Sequence, residues 1–126
     1  MRLAICAVVL AVLTPAVHAA FRDGNALKRE LEVAERVYQL RDSAPEDYPP
    51  DMSQLTVTAA AGLGYIQGVH DSVQAAGAIC TPRGAEVGQL SSAVLKYLRE
   101  HPEQLHTNAA ALTVSALGQA FPCPKR

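Results

Sequence analysis

Four stretches of this chain repeat apolar residues at helical spacing, with turn-forming residues between them. From Gly24 to about Asp42 the apolar positions fall three or four residues apart, which predicts an amphipathic helix. Three prolines among residues 43–52 must end this helix, because proline cannot continue the backbone hydrogen bonds. Its buried face is predicted to carry Leu27, Leu31, Ala34 and Tyr38, widened by Val33, Val37 and Leu40.

A longer second helix is predicted after an N-cap at Asp51 or Ser53, and Gly77 marks its end. Its apolar and small residues alternate at steps of four and three, which again places them on one side of a helix. That side is predicted to comprise Leu55, Ala59, Gly62, Ile66, Val69, Val73 and Ala76.

Two shorter helices complete the pattern. The third is predicted over about residues 85–101 and stops at Pro102, and the fourth, capped by Thr107 or Asn108, extends to about Phe121. We therefore predict an all-α fold, a small single-domain bundle of about four main helices. The buried residues are expected to be Val87, Leu90, Val94, Tyr97 and Leu98 in the third helix and Leu112, Ala116, Leu117, Ala120 and Phe121 in the fourth.

The first residues are typical of a secretory signal peptide. A positive charge at Arg2 precedes an apolar run, and small residues follow it. We expect cleavage after Ala19, with Ala20 as the alternative, so that residues 20–126 form the exported helical domain. No second apolar run approaches the ~18 residues of a membrane span, and Cys6 lies too early for a lipoprotein cysteine. The expected location is the periplasm.

Charge and cysteine content narrow the function further. The 11 basic and 12 acidic residues nearly balance, and no basic run interleaved with aromatic residues suggests a nucleic-acid partner. Cys80 and Cys123 would remain after processing, in a compartment where thiols oxidise, so we expect them to form a disulfide. Two cysteines alone cannot complete a zinc site.

The stretch GLGYIQGVHDS, residues 62–72, contains glycines in the spacing GxGxxxG. A dinucleotide-binding loop would have to follow a strand and open a βαβ unit, and no parallel partner strand is predicted here. The alternative is close helix packing, since Gly64 and Gly68 lie one turn apart and open a groove that a neighbouring helix could enter. We favour packing.

The usual catalytic motifs are absent from the sequence, which has no GxSxG elbow and no HExxH. His70 beside Asp71 could act as a base and its orienter, but adjacent helical residues point about 100° apart, which favours a capping or surface role. His101 is expected at a helix C-terminus, where a cation suits the helix dipole. The chain is therefore predicted not to be an enzyme, and we expect no catalytic residue, metal or cofactor.

Four segments in order, GYIQGVHDS, IC-TP-RG, GQLSSAVLKYLREHPEQLH and AL-GQAFPC, resemble the Rap/Tai family of small periplasmic immunity proteins. The similarity runs from about Gly24 to Cys123. It implies that the protein binds a peptidoglycan amidase effector delivered by a type VI secretion system and that it occludes the amidase active site. Dimers are known in the family, which leaves both a monomer and a homodimer open for this chain. Many relatives have a second cysteine pair, where this chain has Leu31 and Gly62. The resemblance implies that ten residues of this chain occupy signature positions of the family. They are Gly64, Tyr65, Gly68, Cys80, Gln89, Tyr97, His101, Pro102, His106 and Cys123.

The partner-binding residues are expected in two segments rich in charged and amide side chains, residues 81–88 and 99–107. An inhibitor of this kind must bury about 1,600 Å² around a few anchor side chains. The candidates are Arg83, Glu86, Arg99, Glu103, Gln104 and His106. If they do not contact a partner, we expect them to be solvent-exposed surface residues or helix-end residues. A small envelope-stress or acid-stress chaperone without a toxin partner is the alternative function.

Overall fold

The computed structural model describes residues 21–43 and 45–125. Within them four α-helices and no β-strand occur, which confirms the all-α prediction. The predicted signal peptide, residues 1–19, lies outside the described residues. The helices are α1 (Gly24–Leu40), α2 (Met52–Ala75), α3 (Val87–Glu100) and α4 (Ala109–Ala120), and short 3-10 helices occur at Pro45–Asp47 and Pro102–Gln104.

Side-chain caps and glycine define most of the helix ends. Asp23 accepts a hydrogen bond from the Ala26 N–H at 2.8 Å, and Asn108 does the same for the start of α4. Gly77 adopts a φ of 71° and the next residue returns its N–H to the Val73 carbonyl, the pattern of a Schellman C-cap. Asp51 occupies the N-cap position of α2 without a side-chain capping bond, so only half of that prediction is confirmed.

All four helices contribute to one hydrophobic core. Its fully buried side chains include Leu27, Leu31, Ile66, Val94, Leu98 and Leu117. Tyr38, Ala76 and Ala120 were predicted to be buried but are exposed, and each lies near the C-terminal end of its helix segment.

The starts of α1 and α4 lie side by side. The Gly24 N–H donates to the Thr107 carbonyl at 3.0 Å, and the Ala109 N–H donates to the Arg22 carbonyl at 2.9 Å. A Cβ atom on Gly24 would lie 2.5 Å from Leu112, so the close approach requires glycine there. This contact fixes the segment before α4 against the N-terminus of α1.

The close crossing between α1 and α2 occurs at Gly62. A Cβ atom there would lie 2.8 Å from the Cβ atom of Glu30, the neighbour of Leu31. By contrast, a Cβ atom on Gly64 or Gly68 would meet nothing within 4 Å. No described helix of this chain therefore packs at Gly64 or Gly68, because α1 lies against the side of α2 that carries Gly62. The predicted approach of a neighbouring helix at these two glycines stays a prediction.

Arg22, which lies just before α1, reinforces the same crossing. Arg22 Nη1 lies 3.2 Å from Glu30 Oε2, and its guanidinium stacks 4.6 Å from the centre of the Tyr65 ring. Glu30 Oε2 is buried and lacks a hydrogen bond of good geometry, so the contact with Arg22 is mainly electrostatic. Burial of the hydroxyl raises the pKa of Tyr65.

Two alanine substitutions separate the roles of these glycines. Gly62→Ala should lower the free energy of unfolding by about 1–3 kcal/mol, because the α1 backbone must move to admit a methyl group. Gly64→Ala is the matched control in the same helix, and should raise it by up to about 1 kcal/mol, since alanine is the better helix former. Chemical denaturation measures both, and equal effects would contradict this assignment.

Candidate partner-binding site

A tight turn projects from the bundle between α2 and α3. The Ala85 N–H donates to the Pro82 carbonyl at 3.2 Å, and Gly84 has a φ of 85°, as the third residue of a type II turn requires. Arg83 is the second residue of this turn and is exposed. We call residues 81–86 the 81–86 loop, and Arg83 lies at its tip.

The disulfide holds the first end of the 81–86 loop. Cys80 is bonded to Cys123, 43 residues away, which confirms the predicted pair. The Cys80 N–H also donates to the Phe121 carbonyl at 3.0 Å. One residue later, the Thr81 N–H donates to Gln74 Oε1 at 3.1 Å. These contacts join the loop both to α2 and to the C-terminal segment.

His70 adds a further link to the same end. Its Nδ1 lies 3.0 Å from Asp71 Oδ1, and its Nε2 lies 3.0 Å from Thr81 Oγ1. Because a carboxylate only accepts, Nδ1–H donates to Asp71, and in the neutral ring Nε2 accepts from the Thr81 hydroxyl. Although the Cβ directions of His70 and Asp71 lie about 100° apart, the two side chains lean together and meet at the exposed surface of α2.

A capping box holds the other end of the 81–86 loop. Gln89 Oε1 accepts from the Glu86 N–H at 3.0 Å, and the Glu86 carbonyl accepts from the Gln89 N–H at 2.9 Å. The Glu86 side chain faces the same Gln89 N–H, in the arrangement of a capping box. With both ends bonded, the loop is held in one conformation before any partner binds.

Arg99 also makes its closest contacts within the chain. Its Nη2 donates to Glu35 Oε2 at 2.8 Å, and Glu32 of the same helix lies 3.8 Å from Nε, so the side chain joins α3 to α1. The hydrogen bond from Arg99 lowers the pKa of Glu35, and the same bond raises the pKa of Arg99. A lowered carboxyl pKa means that this pair stabilises the fold above the unfolded pKa and loses its effect as acid protonates Glu35.

Side chains in the segment after α3 also make hydrogen bonds within the chain. His101 caps the helix, as predicted, with Nδ1–H donating to the Tyr97 carbonyl at 2.8 Å and its ring stacked on Tyr97. The Tyr97 hydroxyl donates to Gln104 Oε1 at 3.3 Å. Glu103 and His106 remain exposed. Of the candidates in this segment, these two are the most available to a partner.

The two candidate segments lie at opposite ends of α3. That helix has 14 residues, which at 1.5 Å per residue places its ends about 20 Å apart. The structure thus groups Arg83 with Glu86, and groups Arg99, Glu103, Gln104 and His106 separately. Sequence reasoning missed Gln74 and Thr81 as supports of the 81–86 loop, although the position of Thr81 beside Cys80 was a usable signal.

One surface of the molecule is nearly free of charge. Among 24 residues of α2 the only charged side chain is Asp71, and the 12 residues of α4 contain none. Between the two helices runs an open groove of about 500 Å³, which we call the α2–α4 groove. Its lining includes Gly64, Gly68, Ala110 and Val114.

Within residues 21–43 and 45–125, no group of three or more histidine, cysteine, aspartate or glutamate side chains could hold a metal ion. The same residues include no helix long and apolar enough to cross a membrane.

These features define a class of protein, the small disulfide-bonded helical proteins that present a rigid exposed loop. The chain belongs to the family of Rap1a immunity proteins, whose sequence profile matches residues 24–123. A search of curated proteins found no match. Family membership makes the chain an immunity protein that binds a partner effector protein, in a family that is generally non-enzymatic. Together with the disulfide, it supports an extracytoplasmic location.

Proposed function

We propose that this protein is a periplasmic immunity protein that binds a type VI secretion peptidoglycan amidase and blocks its active site. It would be exported through residues 1–19, a cleavable signal peptide, and residues 20–126 would form the binding domain. The observation that carries the proposal is the 81–86 loop, which is exposed at Arg83 and bonded at both ends. A loop ordered in advance loses little conformational entropy on entering a cleft, and this favours affinity.

The experiment is a titration of amidase activity on peptidoglycan with the oxidised mature protein. The amidases are one encoded beside this gene or, failing that, a panel of type VI amidases. Inhibition should saturate at about one equivalent of the protein. This is expected when the Kd of the complex lies well below the amidase concentration in the assay. Inhibition of none of them would overturn the proposal and favour the alternative, an envelope-stress binding protein.

We also propose that two copies associate through the α2–α4 groove. The residues that line this groove carry no charge, and small residues such as Gly64 and Gly68 let a second helix approach closely. Two identical grooves whose lining carries no charge can face each other without repulsion.

Gly68→Arg tests the homodimer. Because nothing lies within 4 Å of a Cβ atom at this position, the fold should survive while a desolvated charge opposes association. Light scattering should show a dimer for the wild type and a monomer for the variant. Gln67→Arg, exposed on the same helix but outside the groove, is the matched control and should remain dimeric. A monomeric wild type would contradict the proposal.

A further inference from the structure

A second groove opens between α1 and α3. Its volume is about 490 Å³, and we call it the α1–α3 groove. The side chains of Leu31 and Leu95, which are almost fully buried, form its floor. It begins at Gly88, in the first turn of α3, so it lies directly after the loop in the chain.

Tyr38 gives one wall an exposed aromatic surface. The side chain is 40% exposed, and its hydroxyl would lie 3.9 Å from a Cβ atom on Gly88. The ring thus extends from α1 towards the first turn of α3 and borders the apolar floor. Exposed tyrosines beside apolar pockets are common anchor points in protein interfaces.

The groove also carries an excess of negative charge. Glu35 and Asp42 lie seven residues apart, and both line it. No lysine or arginine is among the described residues that line the groove. Arg99 engages Glu35 from farther along α3, whereas the structure gives Asp42 no ion pair among the described residues. The carbonyl end of α1, close to Asp42, adds partial negative charge.

An apolar floor, an aromatic wall and a carboxylate rim match one kind of side chain. Lysine and arginine lay their aliphatic stems along apolar surface while the cationic head reaches a polar edge. The guanidinium of Arg41 lies 6.0 Å from the centre of the Tyr38 ring, and a cation of the partner would gain the same kind of attraction to the π-system. A neutral apolar side chain would gain nothing from Asp42 and Glu35, and an acidic one would be repelled.

We propose that the α1–α3 groove binds a lysine or arginine side chain of the effector. The stem lies over Leu31 and Leu95, against the ring of Tyr38, and the head reaches Asp42. This inference rests on the proposed function for the identity of the partner. It adds a second proposed contact with the effector to the one proposed for the 81–86 loop.

The first test needs no effector. The oxidised mature protein, labelled with ¹⁵N, is titrated with acetyl-Gly-Arg-Gly-amide to about 10 mM, a range that detects millimolar binding. Amide signals of Tyr38, Gly88 and Ser92 should shift with the arginine peptide and not with its neutral citrulline counterpart. Asp42→Asn should abolish the shifts. Equal shifts with citrulline, or none in the groove, would overturn the proposal.

The second test uses the amidase. Asp42→Lys should weaken its binding about tenfold or more, because the variant places a like charge where the basic head would lie. Asp47→Lys, the same change in the neighbouring exposed 3-10 helix but outside the groove, is the control and should change affinity less than about twofold. Circular dichroism checks that both variants are folded.

The outcomes distinguish the two proposals. If the wild type inhibits the amidase while Asp42→Lys and Asp47→Lys bind it equally well, the groove inference is wrong and the immunity function stands. If the wild type inhibits no amidase, the proposed function fails and with it the identity of the partner, even where the arginine peptide binds.

Discussion

Replacing Cys80 and Cys123 together with serine should lower the free energy of unfolding by about 4 kcal/mol. The disulfide closes a loop of 43 residues, and on the chain-entropy model its loss frees the unfolded chain by that amount. Domains of this size are stable by only about 5–15 kcal/mol, so the change should be a large fraction of the total. Urea denaturation of the oxidised wild type and the double serine variant measures it.

The loss of the disulfide should also weaken inhibition of the amidase. Without the bond, the 81–86 loop keeps its links through Thr81 and Glu86 but loses its attachment to the C-terminal segment. Reducing agent should lower the wild type to the stability of the double variant and leave the variant unchanged. A difference of less than about 1 kcal/mol would show that the remaining contacts hold the fold and loop unaided.

Arg83→Glu should weaken binding to the amidase by about 100-fold or more. Arg83 stands at the tip of the 81–86 loop, and buried anchor residues of an interface typically contribute 2 kcal/mol or more, with arginine prominent among them. Reversing the charge adds repulsion to the lost contact. Because the side chain is exposed, the stability of the free protein should hardly change.

Arg29→Glu provides the matched control for this variant. Arg29 is also exposed, but it lies on α1, two residues from Leu31 and so on the side of that helix away from the α1–α3 groove. At Arg29, the same change in net charge should leave the affinity for the amidase nearly unaltered. Equal losses in the two variants would mean that net charge, rather than the loop tip, governs binding. If neither variant lost affinity for the amidase, the 81–86 loop would not be part of the interface.

The helices were predictable because the signals that start and stop them act within a few residues. Asn108 caps α4 through its own neighbours, and Pro102 stops the helix before it by removing a backbone donor. Gly77 supplies the positive φ that the end of α2 needs. The disulfide was predictable for a different reason, since only two cysteines were expected to enter an oxidising compartment.

The packing role of the glycines was predictable only in part, because the apolar side of α2 included Gly62 whereas the glycine spacing favoured Gly64 and Gly68. Gly62, Gly64 and Gly68 lie in one helix, and their spacing alone favoured the last two as contact positions. Which glycine meets a neighbour depends on the side against which α1 packs, and the observed contact is at Gly62. Likewise, the Cβ directions of His70 and Asp71 did not reveal that Thr81 lies within reach of the same imidazole.

The charged candidates show most clearly where local information ends. Arg83 and Arg99 have the same chemistry, and sequence reasoning chose both as contact residues. Arg99 is bonded to Glu35, 64 residues away, whereas Arg83 stands exposed on a turn. Interactions between near neighbours along the chain suffice for helices, caps and the turn at Gly84. The availability of each arginine depends on groups that only folding brings together, so the tertiary structure alone separates a structural cation from one that can bind a partner.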